Sequence, residues 1–141
     1  MGLGKSITTL TAIADLSNMF EINKTLIIAP LRVANSTWHK ELGSWSHTKR
    51  LTYRICTGAE KNRLSQLLLP ADIYIINREN VKWLVDFYGK KWPFDMVVID
   101  ESSSFKSSKS QRFKALKKVY PFIDRMVQLT GTPSPNGMMD I

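Results

Sequence analysis

The chain has 141 residues, of which 43% are hydrophobic, so it has the size and composition of one folded domain and not of a disordered tail. Its 20 Lys and Arg residues exceed its 12 Asp and Glu residues, which gives a net charge of +8. Such an excess favours a polyanionic partner such as nucleic acid, although a basic soluble surface without a specific partner would look the same.

Membrane insertion and secretion are not expected. No apolar run approaches the ~20 residues that a transmembrane helix needs. Met1 leads directly into a Gly-rich loop, without the basic and apolar segments of a signal peptide. The single cysteine, Cys56, cannot form an internal disulfide, which favours a reducing, cytoplasmic setting.

Apolar periodicity predicts helices and strands in alternation. Helical spacing is clear in Ile7, Leu10, Ile13 and Ala14, and the apolar run that ends at Ile99 is the clearest strand. In chain order, the predicted elements are a helix over 5–18, a strand over 24–29, a helix over 34–45, a strand over 51–56, a helix over 59–68, a strand over 72–76, a helix over 78–88, a strand over 94–99, a helix over 110–120 and a strand over 125–129. No repeat or low-complexity linker interrupts them, so a single domain over residues 1–141 is expected.

Strand–helix alternation predicts an α/β fold with a parallel sheet and helices on both faces. Continuous apolar runs such as Met96–Ile99 suit strands that are buried on both sides. Ligands of such sheets bind at the carboxyl ends of the strands. Polar segments follow three predicted strands, at residues 30–32, 100–101 and 130–132. The pattern therefore predicts one site built from these segments.

The segment Gly2-Leu3-Gly4-Lys5-Ser6 opens the first helix and has the features of a phosphate-binding loop. Glycine lets backbone N–H groups approach phosphate oxygens, the lysine adds a positive charge, and the hydroxyl is a ligand for Mg²⁺. The full signature, G-x-x-x-x-G-K-[ST], would begin before Met1, and the strand that should precede the loop is missing. By itself the segment fits either nucleotide binding or a Gly-rich helix start with a solvated lysine.

Asp100 and Glu101 directly follow the clearest strand. Two adjacent carboxylates at the end of a buried strand are costly unless something compensates their charge. Mg²⁺ bound by Asp100 would do so, and Glu101 would then polarise the attacking water. Ordinary solvated acids are the alternative for the pair alone. Together with the 2–6 loop, the pair predicts binding and hydrolysis of a nucleoside triphosphate.

Four ordered segments together resemble Swi/Snf-type ATPases of helicase superfamily II. MGLGKS at 1–6 resembles motif I, and LIIAPLRVANSTWHKELGSW at 26–45 resembles the strand that ends in Ala-Pro and the helix that carries spaced Trp38 and Glu41. FDMVVIDESSSFKSSKSQRFKALKKV at 94–119 is similar to the acidic-box strand with its Ser/Lys-rich loop and basic helix, and VQLTGTPSPNGMMDI at 127–141 resembles motif III. Gly58 and Arg63 extend the resemblance across the middle of the chain.

The resemblance implies a RecA-like lobe of a P-loop NTPase with ATP and Mg²⁺ as cofactors. It implies that Lys5 contacts the phosphates, that Ser6 and Asp100 hold Mg²⁺, and that Glu101 orients the hydrolytic water. It also implies two partners, duplex DNA and a second RecA-like lobe. The residues implied in DNA contact or in its coupling to the nucleotide are Pro30, Leu31, Arg32, Lys106, Thr130, Gly131 and Thr132.

The sequence departs from the family pattern in two ways. Ser103 stands where the family has a histidine that links the acidic box to motif III, and a hydroxyl is shorter and carries no charge. This change affects the coupling of hydrolysis to DNA, and the Ser-Ser form resembles helicase-like proteins of phages and prophages. The chain also looks cut at both ends, without the second lobe that supplies an arginine finger worth ~10³-fold or more in rate. The fragment is therefore expected to hydrolyse ATP negligibly by itself.

Other features allow both a functional and a structural interpretation. The basic residues of 106–118 fit either DNA phosphates or a solvated helix face. Tryptophans at helical spacing favour core packing over base stacking. His39 and His47 have no Cys or acid at ligand spacing, so no metal site beyond Mg²⁺ is predicted. Cys56 is predicted to be a small buried hydrophobe.

The sequence is best explained as the ATP-binding lobe of a DNA-dependent ATPase that translocates on or remodels duplex DNA when complete. One alternative is a small P-loop kinase, which would need an acceptor site and an Arg-rich lid where the residues after Glu101 are serines and lysines. The other is a degenerate DNA-binding lobe that kept the fold without turnover.

Overall fold

The computed structural model describes residues 3–19, 22–44, 51–100 and 111–129. These residues form five strands and five α-helices in alternation. In chain order they are α1 (Leu3–Asn18), β1 (Thr25–Ala29), α2 (Leu31–Ser44), β2 (Tyr53–Cys56), α3 (Glu60–Leu67), β3 (Ile73–Asn77), α4 (Val81–Tyr88), β4 (Met96–Ile99), α5 (Gln111–Lys117) and β5 (Arg125–Gln128). Short 3₁₀ turns at Arg78–Asn80, Gly89–Lys91 and Tyr120–Phe122 flank α4 and follow α5.

The strands form one parallel sheet in the order β2-β3-β1-β4-β5. At its centre, Ile27 of β1 lies opposite Ile75 of β3 and Val98 of β4. Every residue of β1, β3 and β4 is buried, whereas β2 and β5 are partly exposed. The continuous apolar runs of the sequence are thus the central strands, as parallel sheets covered on both faces require.

Two hydrophobic clusters lie on opposite faces of this sheet. Because successive strand residues point to opposite sides, Leu26 and Ile28 of β1 join one cluster, and Ile27 and Ala29 join the other. The first cluster is covered by α3, α4 and α5, and the second by α1 and α2. Each buried Ile or Leu contributes about 1.5–3 kcal/mol. The three-layer α/β fold predicted from the sequence is confirmed.

The helices lie on opposite faces of the sheet according to the direction in which the chain moves, as the rule that crossovers share one hand requires. The chain leaves β1 outward to β2 through α2 on one face. It then returns across the sheet to β3, β4 and β5 through helices on the other face. All five strands consequently end at the same edge, here called the carboxyl edge.

Three helix boundaries differ from the prediction by three residues. Helix α4 begins at Val81 and not at residue 78, because Arg78–Asn80 forms a 3₁₀ turn. Helix α2 begins at Leu31 and not at residue 34, because the Pro30 carbonyl accepts the first helical hydrogen bond from Ala34 N at 2.8 Å. Proline is tolerated at a helix start, where its missing N–H is not needed. Helix α5 ends at Lys117 and not at residue 120. Pro121 lies in the turn that follows and disfavours helical conformation in the residue before it.

Candidate functional site

Three chain segments meet at the carboxyl edge of the sheet. Asp100 N donates to Ile28 O of β1 at 2.7 Å, so the residue after β4 is fixed beside the end of β1. Leu129 N donates to Ile99 O at 2.8 Å, which fixes the residue after β5 beside the end of β4. The chain therefore leaves β1, β4 and β5 at neighbouring points, and Pro30, Asp100 and Leu129 are the residues that occupy them.

Asp100 has a defined side-chain partner. Its Oδ2 accepts a hydrogen bond from Trp38 Nε1 at 3.0 Å. Trp38 lies on α2 and is fully buried, while Asp100 is only partly buried. A carboxylate at the rim of an apolar core needs donors to compensate for lost solvation, and the indole N–H is one. The predicted Mg²⁺ ligand is therefore an oriented carboxylate at the carboxyl edge.

The phosphate-loop residues Gly4, Lys5 and Ser6 lie in the first turn of α1. The helix shares a hydrophobic cluster with the sheet through Leu10 and Ile13. A short connection over 19–24 joins its end to β1 at the opposite, amino edge. The first turn is thus at the end of α1 farther from the amino edge, where free backbone N–H groups favour anions. Gly2 and the side chains at positions 3–6 lie outside the described residues.

The predicted DNA-contacting residues of the second segment stand at the β1–α2 junction. Pro30 is partly buried and Arg32 is exposed in the first turn of α2. Arg32 makes contacts of its own within the chain. Since β1 is the central strand and Ile28 O binds Asp100 N, this junction lies next to the acidic residue.

Several predicted site residues fall outside the described residues. They are Glu101, Ser103, Lys106, Thr130, Gly131 and Thr132. Of the predicted basic helix, α5 presents Lys114 and Lys117 to solvent and buries Ala115 and Leu116, and Lys118, in the turn that follows, is also exposed. The interpretation of this helix as amphipathic and basic is confirmed.

Sequence reasoning placed Trp38 in the core and missed its contact with the acidic residue. The core position is correct, as is that of Trp83, which is partly buried and packs against the first cluster, while Trp45, the third tryptophan at helical spacing, lies outside the described residues. A signal was available, because a buried indole N–H usually finds an acceptor. Asp100 is such an acceptor, because it is the first polar residue after β4, the strand that pairs with β1.

A second polar group at the carboxyl edge was also missed. Asn77, which ends β3, is buried; its Oδ1 accepts from Asn80 Nδ2 at 2.8 Å, and its Nδ2 donates to Glu79 Oε1 at 3.2 Å. At the end of β2, the strand that pairs with β3, Thr57 Oγ1 donates to Asn35 Oδ1 at 2.7 Å and so ties the end of β2 to α2. These bonds satisfy buried polar groups within the fold.

Cys56 is buried at the end of β2, and burial raises the pKa of its thiol to about 12. The thiol is therefore protonated at neutral pH and inert as a nucleophile, as the interpretation of Cys56 as a small hydrophobe requires. Among the described residues there is no group of three or more metal-ligating side chains. Within the same ranges, no helix is both long and apolar enough to span a bilayer.

Comparison with known proteins assigns the whole chain to one family. The family model described as SNF2-related domain matches residues 1–141. A putative protein p41 of Acyrthosiphon pisum secondary endosymbiont phage 1 is 42% identical over all of this chain, which spans 32% of the phage protein. The human DNA excision repair protein ERCC-6-like is 32% identical over all of this chain, which spans 12% of the human protein.

A solved structure supports the same assignment. The SWI2/SNF2 ATPase core of Sulfolobus solfataricus, solved in complex with dsDNA, is 27% identical, covers 94% of this chain and matches it with a TM-score of 0.74. This chain covers 26% of that one. The family model thus agrees with the motifs in the sequence and with the parallel sheet and its polar carboxyl edge. The chain belongs to the SNF2-related domain family.

Proposed function

We propose that the chain is the ATP-binding lobe of a helicase-like, DNA-dependent ATPase that couples ATP hydrolysis to translocation on DNA or to its remodelling. The observation that carries this proposal is the position of Asp100. It stands at the carboxyl edge between the β1–α2 junction and Leu129, with one carboxylate oxygen bound by a buried indole. Membership of the SNF2-related family supports it.

Within this proposal, the first turn of α1 binds the nucleotide phosphates through backbone N–H groups of the 2–6 loop and the charge of Lys5. Ser6 and Asp100 hold Mg²⁺, which suits hard carboxylate and hydroxyl oxygens. The metal supplies charge neutralisation of the phosphates when bound. Glu101 orients the attacking water. The partly exposed carboxylate of Asp100 at the sheet edge fits the metal, since it is accessible and already oriented.

In this proposal, DNA binds through Pro30, Arg32 and Lys106. Residues 130–132 couple the DNA contacts to whether ATP or its product is bound. The exposure of Arg32 beside the central strand end supports this role. The duplex DNA in the related Sulfolobus structure supports DNA as the partner class. A second RecA-like lobe completes the ATPase, and the isolated lobe turns over ATP negligibly.

The direct test is a titration of the chain with a fluorescent, slowly hydrolysed ATP analogue and Mg²⁺. Tight binding that is lost in Lys5→Ala, and that loses its Mg²⁺ dependence in Asp100→Asn, is the expected result. Asp86→Asn is the matched control, because Asp86 is an exposed acid on α4 in an ion pair with Lys82. Surface pairs of this kind are worth ~0.3–0.5 kcal/mol, so the control retains binding.

Two outcomes of this titration, combined with a turnover assay that uses ATP itself, favour the rival functions. Absence of binding at millimolar nucleotide, with duplex DNA still bound, indicates a degenerate DNA-binding lobe. Binding with turnover that a small phosphate acceptor increases and DNA leaves unchanged indicates a kinase. DNA-stimulated turnover by the isolated chain contradicts the requirement for a second lobe.

A further inference from the structure

The hydrogen bond between Trp38 and Asp100 joins the interior of the fold to the proposed metal site. Trp38 has no exposed surface and lies in the cluster beneath α1 and α2. Its ring is therefore held by packing on all sides, and its Nε1–H has a fixed direction. Asp100 Oδ2 lies 3.0 Å from that nitrogen, which is a normal distance for an N–H donor to a carboxylate.

The backbone of Asp100 is held by the neighbouring strand. Asp100 N donates to Ile28 O at 2.7 Å. With the main chain bound to β1 and Oδ2 bound to α2, rotation of the carboxylate is restricted at both ends. A side chain restricted in this way is pre-oriented for a ligand, and partners that orient a metal ligand commonly control metal affinity.

We propose that Trp38 is a positioning residue for Asp100: the indole N–H fixes Oδ2 so that the carboxylate is presented to the Mg²⁺ of the nucleotide. The inference rests on the proposed function, since it needs a metal–nucleotide site at Asp100. Trp38 does not itself touch the nucleotide, and its effect is confined to the metal ligand. Loss of the N–H lowers the affinity for the metal ion and leaves the affinity for nucleotide in the absence of metal unchanged.

A purely structural role for Trp38 makes a different prediction. If the ring only fills the core, replacing it with a smaller aromatic ring affects stability, and any effect on the site follows the loss of folded protein. Trp38→Phe keeps an aromatic ring and removes the donor. The matched control is Trp92→Phe: Trp92 is also buried, but on the other face of the sheet, and its Nε1 has no hydrogen-bond partner among the described residues.

The experiment measures Mn²⁺ affinity by electron paramagnetic resonance, with the full chain saturated with a slowly hydrolysed ATP analogue. The metal-free affinity for the same analogue is measured in parallel. We expect Trp38→Phe to weaken Mn²⁺ binding on the order of 10-fold or more with no change in metal-free affinity. Trp92→Phe leaves both unchanged. Equal Mn²⁺ affinity in wild type and Trp38→Phe, both folded, overturns the inference and leaves the proposed function standing.

A second variant covers the case in which Trp38→Phe does not fold. Incorporation of 3-benzothienylalanine at position 38 keeps the bicyclic ring and places sulfur where the N–H was, so packing is preserved and the donor is lost. The expected fall in Mn²⁺ affinity is the same, and an unchanged affinity overturns the inference. Failure of the wild-type chain to bind the analogue with Mn²⁺ contradicts the proposed function itself, and is thereby distinguished from failure of the role of Trp38.

Discussion

Both carboxylate oxygens of Asp95 accept the backbone N–H of Asn23, at 3.1 and 2.9 Å. Oδ1 also accepts Lys24 N at 3.1 Å, and the Asp95 carbonyl accepts Asp124 N and Arg125 N at 2.8 and 3.1 Å. A single residue thereby ties together the starts of β1, β4 and β5 at the amino edge of the sheet. Asp100, the acid that follows β4, lies at the opposite, carboxyl edge.

Asp95→Ala is expected to lower the free energy of unfolding by about 1–3 kcal/mol, because it leaves the backbone donors of Asn23 and Lys24, at the start of β1, without their acceptor. Urea denaturation followed by circular dichroism measures the change. Asp86→Ala, which removes an exposed ion pair on α4, is the control and shifts the midpoint little. Equal effects of the two substitutions would show that Asp95 does not organise the amino edge.

Because the Cys56 thiol is buried, we expect the free energy of unfolding to depend on pH in the alkaline range. Burial raises the pKa of the thiol from 9.0 to about 12, so the folded state binds this proton more tightly than the unfolded state. The contribution is complete below pH 9 and is lost as pH rises from about 9 to about 12. In this window the unfolding free energy of the wild type falls more steeply than that of Cys56→Ala, by up to about 1.4 kcal/mol per pH unit. Parallel curves for the two proteins contradict the prediction.

The contact between Arg63 and the Trp83 ring is expected to be lost when lysine replaces the arginine. Its guanidinium lies 4.4 Å from the centre of the Trp83 ring and its Nη1 donates to Gly58 O. Arg63→Lys keeps the charge but loses the planar stack and the directed donor, so a loss of about 0.5–1 kcal/mol in stability is expected. Thermal unfolding measures it, and Lys61→Ala, at an exposed position of the same helix, is the control. Full retention of stability in Arg63→Lys would mean that charge alone matters there.

We expect Arg32 to contact a phosphate of the DNA backbone. If it binds the DNA backbone, Arg32→Ala weakens binding to duplexes of unrelated sequence by a similar factor and lowers the slope of log affinity against log salt by ~1. Fluorescence anisotropy of a labelled duplex over a range of salt concentrations measures both. Lys82→Ala removes an exposed charge on α4 that already pairs with Asp86 and is expected to leave the slope unchanged. An unchanged slope in Arg32→Ala as well excludes Arg32 as a phosphate contact.

The order and type of every described strand and α-helix could be predicted from the sequence, because apolar period and length distinguish buried strands from amphipathic helices. The three 3₁₀ turns were not predicted. Periodicity reports which side chains are buried but not which partner each polar atom meets. The Trp38–Asp100 bond joins residues far apart in the chain, and no local pattern specifies it. The start of α2 was missed for a related reason: Pro30 ends β1 and also supplies the first helical acceptor, and sequence reasoning gave it only the first role.

The chain bends at Pro30 between strand β1 and helix α2, and both elements are hydrogen-bonded to Asp100. The strand is bonded through Ile28, and the helix is bonded through Trp38, about two turns beyond the bend. The first bond holds the main chain of Asp100 and the second holds its side chain. A displacement of the bend at Leu31 or Arg32 relative to β4 therefore either moves Asp100 as well or breaks one of these two hydrogen bonds.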